Sequence, residues 1–310
     1  MAGVWFIWRS RSIHRCNISY VHHVRSFTFY RFDPDSELSE ILTRLWELDT
    51  NKCTPGEDYK IDLQGYVTST RSVGRDWARH TLFEWVDDCV FERPTYKTFR
   101  ALLDNYESEL GKAEEVTPGE WQENWDFLDA IMETDVMKEA HSYLVEKGVA
   151  PADLESFKEL LDDMWFRLIR RTKGDRDFDS SSFEHVFVGE SRGHQVVGLH
   201  NWIQFYLQEK LGAIDYHGYF QRETLRDDEV PRLIALQFTW KEEDDPERGK
   251  PMSSMFLGTS PEFEIAAYTL CRLLDKSPKC DVQLGEYETQ VVVYRLGQGI
   301  GTAYIGGARV

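Results

Sequence analysis

Two hydrophobic rhythms divide this chain. Between residues 36 and 171 apolar positions recur at three- and four-residue spacing, as in Leu38-Ile41-Leu42-Leu45-Trp46 and Leu154-Phe157-Leu160-Leu161-Trp165-Leu168, the period of helices with one buried stripe. Helix starts are written at Thr117-Pro118-Gly119-Glu120 and Pro151-Ala152-Asp153, where a cap or a first-turn proline precedes such a run. The pattern predicts five to seven packed helices, with Trp46, Trp77, Trp85, Trp121, Trp125 and Trp165 as core residues. A loop over 172–182, with Lys173-Gly174-Asp175-Arg176 and three consecutive serines, ends this part.

Beyond it the rhythm shortens. Val186 to Val188 and Val196 to Leu199 are short β-type runs around the turn residues Glu190-Ser191-Arg192-Gly193-His194, which predicts a β-hairpin with His185 and His200 at its ends. There follow a helix over 201–211, strands over 216–220 and 233–240, a polar loop over 241–249 and a strand over 252–257. Thr259-Ser260-Pro261-Glu262 then opens a capped helix ending near Leu274, and strands over 280–284 and 290–294 lead to a glycine-rich tail. Helices first and mostly antiparallel strands later predict an α+β fold: a helical part over 34–178 and a β-rich part over 179–310. Residues 1–33 stand apart.

Composition sharpens this. At 41% apolar and 14% aromatic residues, the chain can bury a sizeable core. No stretch approaches the about 18 apolar residues of a membrane span. The first 32 residues hold five Arg and no acid. Their early apolar run Val4-Trp5-Phe6-Ile7-Trp8 precedes Arg9 and Arg11, the wrong order for a secretory signal, whereas an Arg- and Ser-rich, acid-poor stretch has the composition of a mitochondrial presequence or a flexible extension. The net charge of −18 is concentrated over 33–180, with 18 basic against 35 acidic residues. A nucleic-acid partner would therefore be gripped locally, since non-specific affinity comes from basic patches. Cys16, Cys53, Cys89, Cys271 and Cys280 are odd in number and scattered, which forms neither a disulfide framework nor a metal pair. These features favour a cytoplasmic compartment over secretion, and a monomer is expected.

Candidate chemistry rests on the two histidines. Imidazole, with an unperturbed pKa of about 6.5, can supply both a base and an acid near neutrality, and no nucleophile elbow, HExxH, Walker-type loop or dinucleotide fingerprint competes. His194, in the turn, and His217 are expected at the surface. Spacing alone leaves open which of His185 and His200 does which task. It also leaves a metallohydrolase with His185, Glu190 and His200 as ligands.

The strings Glu184-His185-Val186-Phe187-Val188-Gly189-Glu190, Gly198-Leu199-His200-Asn201-Trp202, Asp179-Ser180-Ser181, the run from Lys250-Pro251-Met252-Ser253-Ser254 to Gly258-Thr259-Ser260-Pro261-Glu262, and Ile300-Gly301-Thr302-Ala303-Tyr304 together resemble the EndoU (XendoU-type) family of uridylate-specific endoribonucleases. The resemblance spans about 36–304 and includes Leu45-Trp46-Glu47-Leu48-Asp49, Asp58-Tyr59-Lys60 and Leu103-Asp104-Asn105-Tyr106-Glu107. It implies cleavage of single-stranded RNA at uridines by the neighbouring 2′-hydroxyl, leaving 2′,3′-cyclic phosphate and 5′-hydroxyl ends. By the same resemblance His200 is the base, His185 the acid and Lys250 the electrostatic clamp, with Lys241 as the rival lysine. Ser254, Thr302 and Tyr304 contact the substrate, Glu184 and Glu190 support the site or bind metal, and Mn²⁺ or Ca²⁺ stimulates. Ile305 replaces the family's proline after the tyrosine, which predicts a looser backbone there and weaker uridine selectivity. A catalytically silent RNA-binding protein of the same fold is the alternative.

Overall fold

The computed structural model describes residues 32–306 apart from 173–175, 224–229, 242–246 and 275; most of the basic extension, Cys16 and most of the acidic loop before Lys250 thus lie outside the described residues. Five α-helices carry the first half. In α1 (Ser36–Leu48) the Asp35 carboxylate accepts from Leu38 N, and Leu38, Ile41, Leu42 and Leu45 form the buried stripe, as the spacing required. Four more follow: α2 (Pro94–Ala101), α3 (Pro118–Met132), α4 (Asp135–Glu146) and α5 (Leu154–Trp165). Thr117 and Glu120 close a reciprocal capping box at α3, and Asp153 caps α5.

Two expectations for this half fail. A two-stranded antiparallel sheet, β1 (Tyr59–Ile61) and β2 (Phe83–Val86), lies among the helices, because short strands leave little periodic signal. Trp165 is fully buried, but Trp77, Trp85 and Trp121 are 41%, 39% and 51% exposed. Trp121 packs on Trp125 at the start of α3, and Trp77 lies under the Arg75 guanidinium.

The second half holds two sheets. A five-stranded sheet runs in the order β3-β4-β7-β6-β5, built from β3 (Glu190–Arg192), β4 (Gln195–Val197), β5 (Ile214–Glu223), β6 (Leu233–Trp240) and β7 (Arg248–Phe256), with α6 (Trp202–Lys210) between β4 and β5. After α7 (Pro261–Leu273), the strands β8 (Lys279–Leu284), β9 (Tyr287–Leu296) and β10 (Gly299–Gly306) form a three-stranded antiparallel sheet in the order β10-β9-β8. All pairings are antiparallel except a parallel one of β4 with β7, so the fold class is α+β as predicted. Every residue of β6 is buried and α7 is almost entirely so. β6 pairs along β7, the strand that carries Lys250. Among the described residues no helix is long and apolar enough to cross a membrane.

Three local predictions are corrected here. Residues Glu184–Val188 form one π-helical turn instead of a strand; their Val-Phe-Val run is apolar because it is buried on all sides, with Phe187 against Phe99, Trp165 and Phe183. The hairpin exists but is shifted to β3 and β4. Second, the strand expected over 252–257 is β7 and already begins at Arg248, so Lys250 stands on it. Third, the glycine-rich tail is the strand β10, whose pairing with β9 continues through Ile305 and Gly306. Ile305 is buried, so the loosening expected there does not occur.

Candidate active site

The π-helical turn carries His185. At its start Glu184 N donates to Ser181 Oγ and Ser181 N donates to the Glu184 carboxylate, at 3.0 and 3.1 Å, a reciprocal cap of the kind that fixes helix starts. At its end Gly189 N donates to Glu184 O at 2.8 Å, with Gly189 at φ +94°. This positive φ reverses the chain, and the first residue of β3, Glu190, returns its carboxylate to His185 Nδ1.

The second histidine is laid across the first by backbone contact. Leu199 N donates to His185 O at 3.0 Å, and His200 N to Val186 O at 2.8 Å. A Cβ on Gly198, at φ +67°, would lie 1.7 Å from His185 O, so only glycine permits this approach. Leu199 itself adopts φ +55°, a strained conformation for a non-glycine residue that costs about 1–2 kcal/mol. Lys250 completes the group: reaching from β7, its Nζ donates to Gly198 O at 2.7 Å. The charge of Lys250 is felt at both imidazoles. His185, His200 and Lys250 are thereby brought into one site, each at least nine-tenths buried. Lys241 is exposed at the end of β6.

Hydrogen bonds assign the ring protons. His200 Nδ1 lies 3.0 Å from Ser254 O and 3.2 Å from Ser253 Oγ, whose own hydroxyl donates to Leu199 O. A carbonyl can only accept, so Nδ1 carries the proton and the neutral ring presents an unprotonated Nε2. His185 Nδ1 faces a carboxylate and is likewise the donor. Among the described residues neither Nε2 has a protein hydrogen-bond partner.

The electrostatic environments differ. Burial pulls the pKa of His200 well below its ordinary value, and the Lys250 charge adds to this. Burial also lowers that of His185, but the Glu190 contact opposes it. Burial raises the Glu190 carboxyl, yet the His185 contact and the Arg171 charge outweigh that effect and hold it below the usual range. Lys250 is pulled down to about 8 by burial. Glu184, buried beside Glu190 and Glu114, is raised well above the carboxylate range.

Several residues of this constellation escaped the sequence reading. Arg171, at the end of the helical rhythm, donates to Ser180 Oγ at 2.7 Å, Ser181 O at 3.1 Å and Gly301 O at 2.5 Å, and lies 3.3 Å from the Glu190 carboxylate. It ties the His185 turn to β10. Asn201 caps α6 through Ile203 N and Gln204 N, and its amide donates to Glu264 at 3.2 Å, which fixes the backbone next to His200. Ser253, unlike its neighbour Ser254, turns its hydroxyl to His200. The only signal in the sequence was adjacency to motif residues.

The remaining candidates fall as follows. Tyr304, half-buried on β10, stacks on the His200 ring at 5.0 Å between centroids and 24°. Thr302 is half-buried at the bulge of the same strand, paired with Tyr294. Ser254 offers its backbone carbonyl to His200. Glu184 and Glu190 make a poor ion site: one Glu190 oxygen is occupied by His185 and Arg171, Glu184 is fully buried, and among the described residues no group of three or more His, Cys, Asp and Glu is arranged to hold a metal. Hard cations ordinarily take six or more oxygen ligands. His194 is exposed in the turn as expected, but His217 is buried, beside Thr239 and Asp215.

The chain is similar to known proteins over nearly all of the described residues. Residues 37–306 match the family model for Endoribonuclease XendoU. Poly(U)-specific endoribonuclease-A of Xenopus laevis is 50% identical over 86% of this chain and 92% of its own length, and uridylate-specific endoribonuclease B of Danio rerio is 48% identical over 87% and 95%. The solved structure of XendoU, described as a splicing-independent snoRNA-processing endoribonuclease, superposes with a TM-score of 0.77 at 46% identity, covering 89% of this chain and 99% of that one. The chain belongs to the XendoU endoribonuclease family.

Proposed function

We propose that this protein is an endoribonuclease that cuts single-stranded RNA on the 3′ side of uridines by transesterification. His200 Nε2 removes the proton of the 2′-hydroxyl, and that oxygen attacks the adjacent phosphorus. The bond to the 5′-oxygen breaks as His185, protonated on both ring nitrogens with its Nδ1–H held by Glu190, delivers the Nε2 proton there, leaving a 2′,3′-cyclic phosphate and a 5′-hydroxyl. The Lys250 ammonium offsets the negative charge gathered on the phosphorane. Each acid–base group contributes about 10²–10⁴-fold, and preorganised charge adds to this.

The observation that carries this reading is the unequal setting of the two imidazoles. His200 has no carboxylate partner and faces Lys250, so it rests neutral with a lone pair available. Burial lowers the pKa of His185 too, but the Glu190 contact offsets part of that, so of the two rings His185 is the better placed to hold the second proton an acid needs. Tyr304, stacked on His200, extends a flat surface toward the ribose and base; stacking tolerates any base, so uridine preference is assigned to hydrogen bonds from Thr302 and Ser254.

Stimulation by Mn²⁺ or Ca²⁺ belongs to this proposal as a dependence to be measured. Glu184 and Glu190 do not fit as its ligands, and no step above passes through an ion. The decisive experiment uses an RNA with one ribouridine in an otherwise 2′-deoxy strand, with and without Mn²⁺ or Ca²⁺, followed by end-group analysis. Cleavage after the ribouridine with a cyclic phosphate is expected. Binding without cleavage would support the silent RNA-binding alternative, and cutting at positions lacking a 2′-hydroxyl would refute the mechanism.

A further inference from the structure

Residues 64–80 cross the face of the five-stranded sheet opposite to Lys250. Gly249 and Pro251, one position either side of Lys250, face this side of β7. Together with Arg71, His194, His217, Arg248 and Glu247 they line a cavity of about 500 Å³, within the range of small-ligand sites.

The crossing segment is pinned. Val67 N donates to Tyr219 O and Trp77 N to His217 O, at 2.8 and 3.0 Å. Gln237, fully buried at a bulge of β6, accepts from Gly74 N and donates to Ser69 O, Ser72 O and, at 2.9 Å, Pro251 O. Glycine at 249 lets the segment seat, since a Cβ there would come within 2.7 Å of Val73. The segment is thus held in place right behind the strand that presents Lys250.

Its outward side chains are unusual for a chain of net charge −18. Residues 64–80 contain Arg71, Arg75 and Arg79 against a single acid, Asp76. Tyr66 is 55% and Trp77 41% exposed, and the Arg75 guanidinium lies 4.3 Å from the Trp77 ring centroid. Exposed aromatic faces beside guanidinium groups are what unpaired nucleotides bind, the rings stacking on bases and the cations meeting phosphates.

We propose that this segment and the cavity beneath it form an accessory site for single-stranded RNA, which holds nucleotides flanking the cleaved linkage. Arg71 and Arg75 meet phosphates, and Tyr66 and Trp77 stack on bases. The proposal rests on the reading above that the substrate is RNA. It gives a strongly acidic protein a local means of gripping a long strand.

The test compares wild type with the double variant Arg71→Gln/Arg75→Gln and with Trp77→Leu. Fluorescence anisotropy measures binding of a roughly 15-nucleotide RNA and of a trinucleotide, both 2′-O-methylated at uridine to prevent cutting. Loss of one stacked base or two phosphate contacts should weaken the long RNA by about fivefold or more and leave the trinucleotide within about twofold. For the double variant the slope of log affinity against log salt should shrink by about 0.7 per lost contact. Unchanged binding of the long RNA by both variants overturns the proposal. So does equal weakening of both RNAs, which would place these residues in the catalytic site or in its folding; melting temperatures separate those two. Should wild type bind the long RNA but never cleave an unmodified one, the proposed function fails while this site stands.

Discussion

His185 and His200 are alike as residues and unlike in their surroundings, and the difference is testable. Replacing either with Ala should lower kcat by about 10²-fold or more with a smaller change in KM, measured on a fluorescent oligouridylate. The pH profile separates their roles. Because burial and Lys250 hold the pKa of His200 well below its ordinary value, its basic form is already complete near pH 7, and kcat/KM should not rise on its account above that pH. Burial lowers the pKa of His185, and the Glu190 contact offsets part of that lowering. Glu190→Gln removes that support, so the alkaline fall in activity should move to lower pH, with kcat affected more than KM. A merely structural role for Glu190 would lower activity without displacing the limb. A third titration sets an upper bound: Lys250, at about 8, loses its ammonium as pH rises through that value, and activity must fall with it.

At the scale of elements, the site is made by irregular backbone between regular pieces. The π-helical turn aims His185, the positive φ of Gly189 returns Glu190, and the left-handed pair Gly198 and Leu199 lays His200 over the turn. Such strain persists only where surrounding structure enforces it. Gly198→Ala combines a disfavoured φ with a Cβ contact on His185 O, and backbone must shift to relieve it. The expected result is a loss of about 2 kcal/mol or more in stability, read by urea denaturation. Cleavage should fall by more than the unfolded fraction explains, because the shift displaces His200. Normal activity of the folded Ala variant would show that the crossing geometry is dispensable.

For the molecule as a whole, the centre around α7 and α6 carries buried acids. Glu264 is fully buried between Asn201 and Thr259, and burial pushes its pKa up to about 8; Asp49, near Glu262, is raised to about 6. A carboxyl whose folded pKa lies above its unfolded one contributes stability that is complete below the unfolded value and is lost as pH rises through the folded value. Wild type should therefore melt at progressively lower temperature as pH rises toward 8. Glu264→Gln, which keeps an acceptor for Asn201 and Thr259, should flatten that decline by a few degrees; an unaltered slope would exclude Glu264 as its source.

Much of this was written in the sequence. Helical spacing placed α1, α3 and α5, and Thr117, Asp153 and Ser260 marked their own helix starts, because a cap is a bond between residues three apart and needs no tertiary partner. The strings around His185, His200 and Lys250 were legible as a family resemblance for the same reason: residue type is local. Where those side chains would meet was not. The Val-Phe-Val run after His185 has strand composition and became a π-helical turn because its burial among Phe99, Trp165 and Phe183 comes from elements distant in the chain. Arg171, Asn201 and Glu264 acquire their roles only by contact, and exposure of Trp77 depends on a segment crossing a sheet assembled much later in the sequence. The sequence by itself determined the helices, the fold class and the candidate groups of the site, all set by neighbours along the chain. Tertiary structure decided the proton on each imidazole, the ammonium whose charge reaches both and the exposed aromatic face, since these follow from burial and from partners that only folding brings near.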